Sequence, residues 1–148
     1  MHFIRQLRKV EISSNVSKIS KHSFENCVLL SQVEFSNKSN LRYIEKNAFC
    51  CSRFHNISIP SSVIYFGPFS FKQSGFQVTF QPQSKLQLID KYAFADSSIQ
   101  TITIPQKVAK IGQGVFQNCL CLENVFFDDT YYHNNRFVFS YHLDVLTE

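Results

Sequence analysis

Cysteine, histidine and paired carboxylates are the residue types here that bind metals or attack carbonyls, and their spacing decides whether they act together. The chain holds Cys27, Cys50, Cys51, Cys119 and Cys121, with His2, His22, His55, His133 and His142. A structural zinc site takes four ligands, usually starting from a cysteine pair with about two to four residues between them. Cys119 and Cys121 have one residue between them, and Cys50, Cys51 and His55 supply only three crowded ligands. Nucleophilic catalysis needs a cysteine or serine converging with a histidine, usually on a sharp glycine-flanked turn. No such turn, no phosphate-cradling glycine loop and no paired-carboxylate site is visible, and Asp128-Asp129 reads as a turn. The expectation is a non-enzyme with no catalytic residue, no metal and no cofactor.

Composition narrows the class further. The 148 residues are 44% hydrophobic and 18% charged, enough apolar character for one domain with a core. No apolar run approaches the roughly 18 residues of a membrane helix, so no direct membrane insertion is expected. The net charge of +4 includes no solidly basic window, which argues against a nucleic-acid partner. Arg5, Arg8 and Lys9 interleave with apolar residues, as on a solvated strand edge, and interrupt the apolar stretch a secretory signal needs. Sixteen Phe beside no Trp and one Met suggest one position copied many times.

The copies are Phe24, Phe49, Phe71, Phe94 and Phe116, in steps of 25, 22, 23 and 22 residues. Five residues before them stand Ile19, Ile44, Phe66, Ile89 and Ile111; eight before stand Val16, Leu41, Val63, Leu86 and Val108. A small residue precedes four of the five (Ser23, Ala48, Ser70, Ala93, with Val115 the exception). Cys27, Ser52, Ser74, Ser97 and Cys119 follow three residues later. Each unit closes on an alternating triplet: Val33-Glu34-Phe35, Ile57-Ser58-Ile59, Val78-Thr79-Phe80, Ile102-Thr103-Ile104 and Val125-Phe126-Phe127, after an incomplete unit ending Val10-Glu11-Ile12. Period-two alternation predicts six short strands with apolar residues inward, and a register kept from unit to unit requires them to stack parallel. Alternate units carry Ile59-Pro60 and Ile104-Pro105, where proline ends the strand, or polar stretches at 36–40 and 81–85. The segment before each Phe is expected to be extended and then a short helical turn, with Gly67 and Gly112 for the bend. The unit ending at Phe80 is one residue short, which predicts a bulge or shifted turn within 74–77.

Ile59-Pro60-x-x-Val63-x-x-Phe66-Gly67 ending at Phe71, and Ile104-Pro105-x-x-Val108-x-x-Ile111-Gly112 ending at Phe116, resemble the BspA-like leucine-rich repeats. Ala48-Phe49 and Ala93-Phe94 match that family's Ala-Phe element, Ser23-Phe24 and Ser70-Phe71 nearly so, and Val115-Phe116 departs from it. The resemblance covers about residues 7–127. It implies a leucine-rich repeat solenoid in a non-enzymatic surface or secreted protein used for adhesion and protein recognition. The expected organisation is a solenoid over 1–127, about five full units plus a partial first, and a C-terminal cap or truncated repeat over 128–148. Within it, residues 136–141 alternate as a strand that would lid the last coil.

Alternation turns Glu11, Glu34, Ser58, Thr79, Thr103 and Phe126 to solvent, with Lys9, Gln32, Asn56, Gln77, Thr101 and Asn124 two positions earlier. These twelve are the candidate ligand face. Charge is confined to one end; the middle is hydroxyl and amide, suited to hydrogen-bonding a protein, such as a host or extracellular matrix protein, or a glycan. At ~4.8 Å per strand the strip is about 24 Å wide, short of the ~800 Å² per partner of a standard interface, so a protein ligand would need the loops too. An uncapped end would invite end-to-end self-association. Cys27 and Cys119, four units and roughly 19 Å apart, are beyond disulfide reach and read as buried fillers of the serine column. Free thiols would fit a cytoplasmic interaction scaffold, the alternative to a cell-surface or secreted location. Asn15, Asn37 and Asn56 each begin a glycosylation sequon.

Overall fold

The structure, a computed structural model, describes residues 4–75 and 77–128. The alternating triplets lie in six four-residue strands: β1 Lys9–Ile12, β3 Gln32–Phe35, β5 Asn56–Ile59, β7 Gln77–Phe80, β9 Thr101–Ile104 and β11 Asn124–Phe127. Between them run five two-residue strands: β2 Lys18–Ile19, β4 Tyr43–Ile44, β6 Tyr65–Phe66, β8 Leu88–Ile89 and β10 Lys110–Ile111. Every pairing is parallel and repeat-equivalent residues oppose each other, as in Val10↔Val33, Ile57↔Val78 and Ile102↔Val125. The chain is a parallel β-solenoid of the leucine-rich repeat kind. No helix among the described residues is long and apolar enough to cross a membrane.

The six longer strands stack in order, but the hydrogen-bond ladders join them in three pairs, β1-β3, β5-β7 and β9-β11, rather than in one sheet. Two seams remain, between β3 and β5 and between β7 and β9. Proline accounts for their position. In the laddered pairs the residue just past the strand donates its N–H to the coil before: Ser36 to Ile12 O at 3.0 Å, Gln81 to Ile59 O at 3.0 Å and Asp128 to Ile104 O at 2.9 Å. At both seams that residue is a proline, Pro60 or Pro105, with no N–H to give. The arcs before the seams are also longer: from Gln32 to Tyr43 and from Gln77 to Leu88 the chain advances 11 residues, against 9 from Lys9 to Lys18.

The unbroken sheet is the one made by the two-residue strands, in the order β10-β8-β6-β4-β2. It buries Ile19, Ile44, Phe66 and Ile89 on its inner side. Just past β6 and β10 the two glycines serve a purpose other than a bend. Neither has a positive φ, and a Cβ on Gly67 would lie 2.7 Å from Lys46 N, one on Gly112 2.4 Å from Lys91 N. They allow close approach of one coil's backbone to the next.

The expected helical turn around each Phe is a run of tight turns instead. Residues two before and two after the Phe take positive φ in every coil: His22 and Asn26, Asn47 and Cys51, Phe69 and Gln73, Tyr92 and Asp96, Gly114 and Asn118. Two left-handed residues four apart in each coil unwind the helix, so N–H groups that would bond within the coil point along the solenoid axis. Phe24 donates to Ala48 O, Phe49 to Ser70 O and Phe71 to Ala93 O, each at 2.8 Å, which makes this side a third inter-coil ladder. Among the described residues the only helical element is the 3-10 turn Ile4–Gln6. The short unit is absorbed in its corner: β5 and β7 pair without a bulge, while Gly75 takes φ 59° against the ring of Phe54.

The core is a column of stacked rings. Phe24, Phe49, Phe71, Phe94 and Phe116 follow one another at centroid distances of 5.2, 5.4, 5.3 and 5.8 Å, with interplanar angles of 11–13°. Beside it three members of the Ser/Cys column bond their coil to the one before: Ser52 Oγ donates to Phe24 O at 2.6 Å, Ser74 Oγ to Phe49 O and Cys119 Sγ to Phe94 O at 3.1 Å, while Ser97 Oγ meets Cys119 Sγ at 3.5 Å. Hydroxyl and thiol are interchangeable there because each fills a small site and carries one donor. Ser70, in the small column, is fully buried with its Oγ unpartnered among the described residues, where the equivalent positions hold Ala48 and Ala93. Ser70→Ala is expected to raise the unfolding free energy by about 1 kcal/mol, read from the urea midpoint at unchanged m-value.

Candidate ligand-binding surface

All twelve residues of the expected ligand face are exposed on the outer side of the longer strands, in register within each of the three laddered pairs. At the N-terminal end Lys9 Nζ reaches Glu11 at 3.1 Å and Glu34 at 3.2 Å. Hydrogen bonds to Glu11 and Glu34 hold the Lys9 ammonium above its ordinary value. One ammonium is thus shared by two carboxylates, which leaves this end net negative, and a shallow hollow of about 310 Å3 lies beside them, lined by Glu11, Ser13, Glu34 and Ser36. Next along the strip stand Gln32 on β3 and Asn56 and Ser58 on β5, all exposed. At the other end Phe126 is 55% exposed beside Asn124.

The middle of the face holds a feature the alternation alone does not predict. The seam between β7 and β9 is a cleft of about 590 Å3. Gln77, Thr79, Thr101 and Thr103 of the candidate face line it, over Val78 and Ile102. The walls are two turns: 81–85, in the long arc after β7, and 105–107, after β9, with Asp128 at the rim. The wall residues Gln81, Gln83, Ser84, Lys85, Gln106 and Lys107 lie outside the strand pattern, which is why alternation missed them. The signals were Pro105 and the extra residues of the long arc, read in the sequence as punctuation rather than as the cause of an opening.

Among the described residues the groups with reactive potential do not assemble. All five cysteines are free; Cys50 and Cys51 Sγ lie 3.6 Å apart, and Cys51 Sγ donates to Gln73 Oε1 at 3.0 Å. Burial pushes the Cys27, Cys50 and Cys119 thiols above their ordinary values, and the Cys51 thiol raises Cys50 further, away from the thiolate a nucleophile needs. Among the described residues no three His, Cys, Asp or Glu side chains are grouped to hold a metal ion. His2, His133, His142 and the capping strand expected at 136–141 lie outside the described residues, as does nearly all of the 128–148 segment. Of the sequon asparagines, Asn15 and Asn37 are exposed in the turns after β1 and β3, and Asn56 is exposed on the ligand face.

Comparison with known proteins agrees with this geometry. The family model for the BspA type leucine rich repeat region matches six copies, over residues 2–81 and 43–146. No curated protein matches the chain. Among solved structures it is similar to the pneumococcal vaccine antigen PcpA, at 30% identity and a TM-score of 0.76, over 82% of this chain and 31% of that one. A leucine rich cell surface protein from Faecalibacterium prausnitzii A2-165 shares the fold at 23% identity and a TM-score of 0.60, over 82% of this chain and 39% of that one. The chain thus spans less than two fifths of the length of either. With six matched repeats and a solenoid built on their columns, the chain belongs to the BspA-type leucine-rich repeat family.

Proposed function

We propose that this chain is a non-enzymatic recognition or adhesion module of a surface or secreted protein, binding a protein partner through the outer strand face and its adjoining loops. The observation that carries this is the face itself. Across β3 to β9 it presents amides and hydroxyls whose donors and acceptors are mostly unspent within the fold, on a scaffold held by inter-coil ladders. A rigid, polar, largely uncharged surface binds without first ordering itself, which lowers the entropic cost of association. The cell-surface description of the Faecalibacterium relative supports the location. Five free thiols favour a second reading, an intracellular interaction scaffold with the same surface.

The test is a screen of immobilised extracellular and host-surface proteins with the purified chain, followed by Ser58→Arg and Thr103→Arg. Both side chains are exposed and neither is part of the core, so each variant is expected to keep its melting temperature and to weaken a captured partner at least tenfold. Absence of any partner, or binding indifferent to both substitutions, would sink the proposal.

A further inference from the structure

The cleft at the β7–β9 seam has a chemistry distinct from the rest of the strip, and from it we infer a binding site for a neutral oligosaccharide. This inference rests on the reading of the outer strand face as the recognition surface, and it names a ligand class for one part of that face. Its volume of about 590 Å3 falls in the ~300–1,000 Å3 range of small-molecule sites.

Three features select the class. The first is the lining: four glutamines, Gln77, Gln81, Gln83 and Gln106, with the hydroxyls of Thr79, Thr101 and Thr103. An amide carries two donors and a two-lone-pair acceptor on one group, and a hydroxyl carries both kinds on one atom. Sugar hydroxyls have the same dual character, so either partner can donate or accept at each contact. The glutamine amides and the hydroxyls of Thr101 and Thr103 bond to no other described residue, so their capacity is open to a ligand; Thr79 alone makes a long contact, to Ile57 O at 3.5 Å. The second is the apolar wall. Exposed Pro82 and half-buried Phe80 line the cleft and offer apolar surface to the C–H face of a pyranose ring, while Val78 and Ile102 are buried in the core beneath it. The third is charge: two exposed lysines, Lys85 and Lys107, against the exposed Asp128 leave a single net positive charge, too few cations to select a strongly anionic chain.

The spacing of the seam removes the main competitor. An extended peptide adding as a strand would need its flanking strands about 9.6 Å apart, twice the ~4.8 Å interstrand distance. Cα atoms of β7 and β9 come within 8 Å of each other, so a strand does not fit between them. The ligand sits above the seam, against side chains, rather than within it.

The experiment is saturation-transfer NMR on the full chain. The probes are neutral di- and trisaccharides of hexose and N-acetylhexosamine, with a heparin-derived tetrasaccharide as the anionic comparator. A neutral probe is expected to show transfer. Its affinity is expected to fall at least tenfold in Gln81→Ala/Gln106→Ala, whose side chains lie outside the core, and to be unchanged in Ser58→Arg, on β5 outside the cleft. Pro105→Ala supplies a second arm: it returns an N–H to the position opposite Phe80 O, so the ladder can close and saccharide binding is expected to drop while the fold persists. Three results would overturn the inference: no transfer to any neutral probe, binding that survives both the glutamine and the proline variants, or preference for the anionic probe that is lost in Lys85→Ala/Lys107→Ala. A protein partner retained in the immobilised screen alongside any of these leaves the recognition reading standing and rejects the saccharide site alone.

Discussion

Phe71→Ala is expected to cost about 3–5 kcal/mol of folding free energy, the range for truncating a fully buried aromatic ring. Phe71 is the middle ring of the column, stacked on Phe49 at 5.4 Å and Phe94 at 5.3 Å, with Phe66 and Phe54 meeting it edge-on at 5.0 and 6.2 Å. Removing it leaves a cavity bounded by four rings, none of which can collapse into the space while its own backbone is held by inter-coil hydrogen bonds. The position matters as much as the volume. In a solenoid each coil touches only its neighbours, so a defect in the middle weakens the coupling between two halves, whereas a defect at an end frays one coil. Urea unfolding followed by circular dichroism is therefore expected to show a lower midpoint and a broadened or two-step transition for Phe71→Ala. Phe24→Ala, where the ring is half-buried and has one stacking partner, is expected to give a smaller loss in a single step. Equal costs at the two positions would show that the stacked column is not what holds the coils together.

That column, and the parallel strands beside it, were legible in the sequence because each is a direct copy of one apolar position. Phe49, Ile44 and Leu41 repeat at fixed offsets in Phe94, Ile89 and Leu86, and burial of one predicts burial of all. Backbone conformation was less legible, because side-chain type hardly constrains it. His22, Asn47, Phe69 and Tyr92 share a left-handed φ at one repeat position while sharing no chemistry, so the side chains at these turns do not distinguish them from a short helix. The candidate face divides along the same line. Its twelve exposed residues follow from period-two alternation, which the pleat enforces. The cleft depends on which N–H groups the ladder lacks, and a pattern of hydrophobicity does not record a missing donor.

Gly67→Ala tests the part of the design that lies in the spacing between coils. The added methyl would sit 2.7 Å from Lys46 N and 2.8 Å from Glu45 C, both main-chain atoms with no rotamer to yield. The coils would have to separate locally, stretching the bond from Gly67 N–H to Ile44 O, now 2.8 Å, and with it the β4–β6 pairing in the one sheet that runs unbroken through the solenoid. Overpacking of this kind costs about 1–3 kcal/mol, and the upper part of that range is expected because the obstacle is backbone. The repeat supplies its own control. The same column holds Glu45 and Asp90 in the coils with long arcs and glycine at 67 and 112 in two of the three coils with short ones, the first described coil carrying Ser20. Asp90 accepts hydrogen bonds from Tyr65 Oη at 3.1 Å and Lys91 N at 2.7 Å, so a side chain is tolerated and used there. Asp90→Gly is thus expected to cost only about 1 kcal/mol, the worth of the bonds it gives up. If Gly67→Ala proved the milder of the two in urea titrations, close approach of the coils would not be the reason glycine stands at 67 and 112. The two-unit rhythm of the chain would then need a different cause.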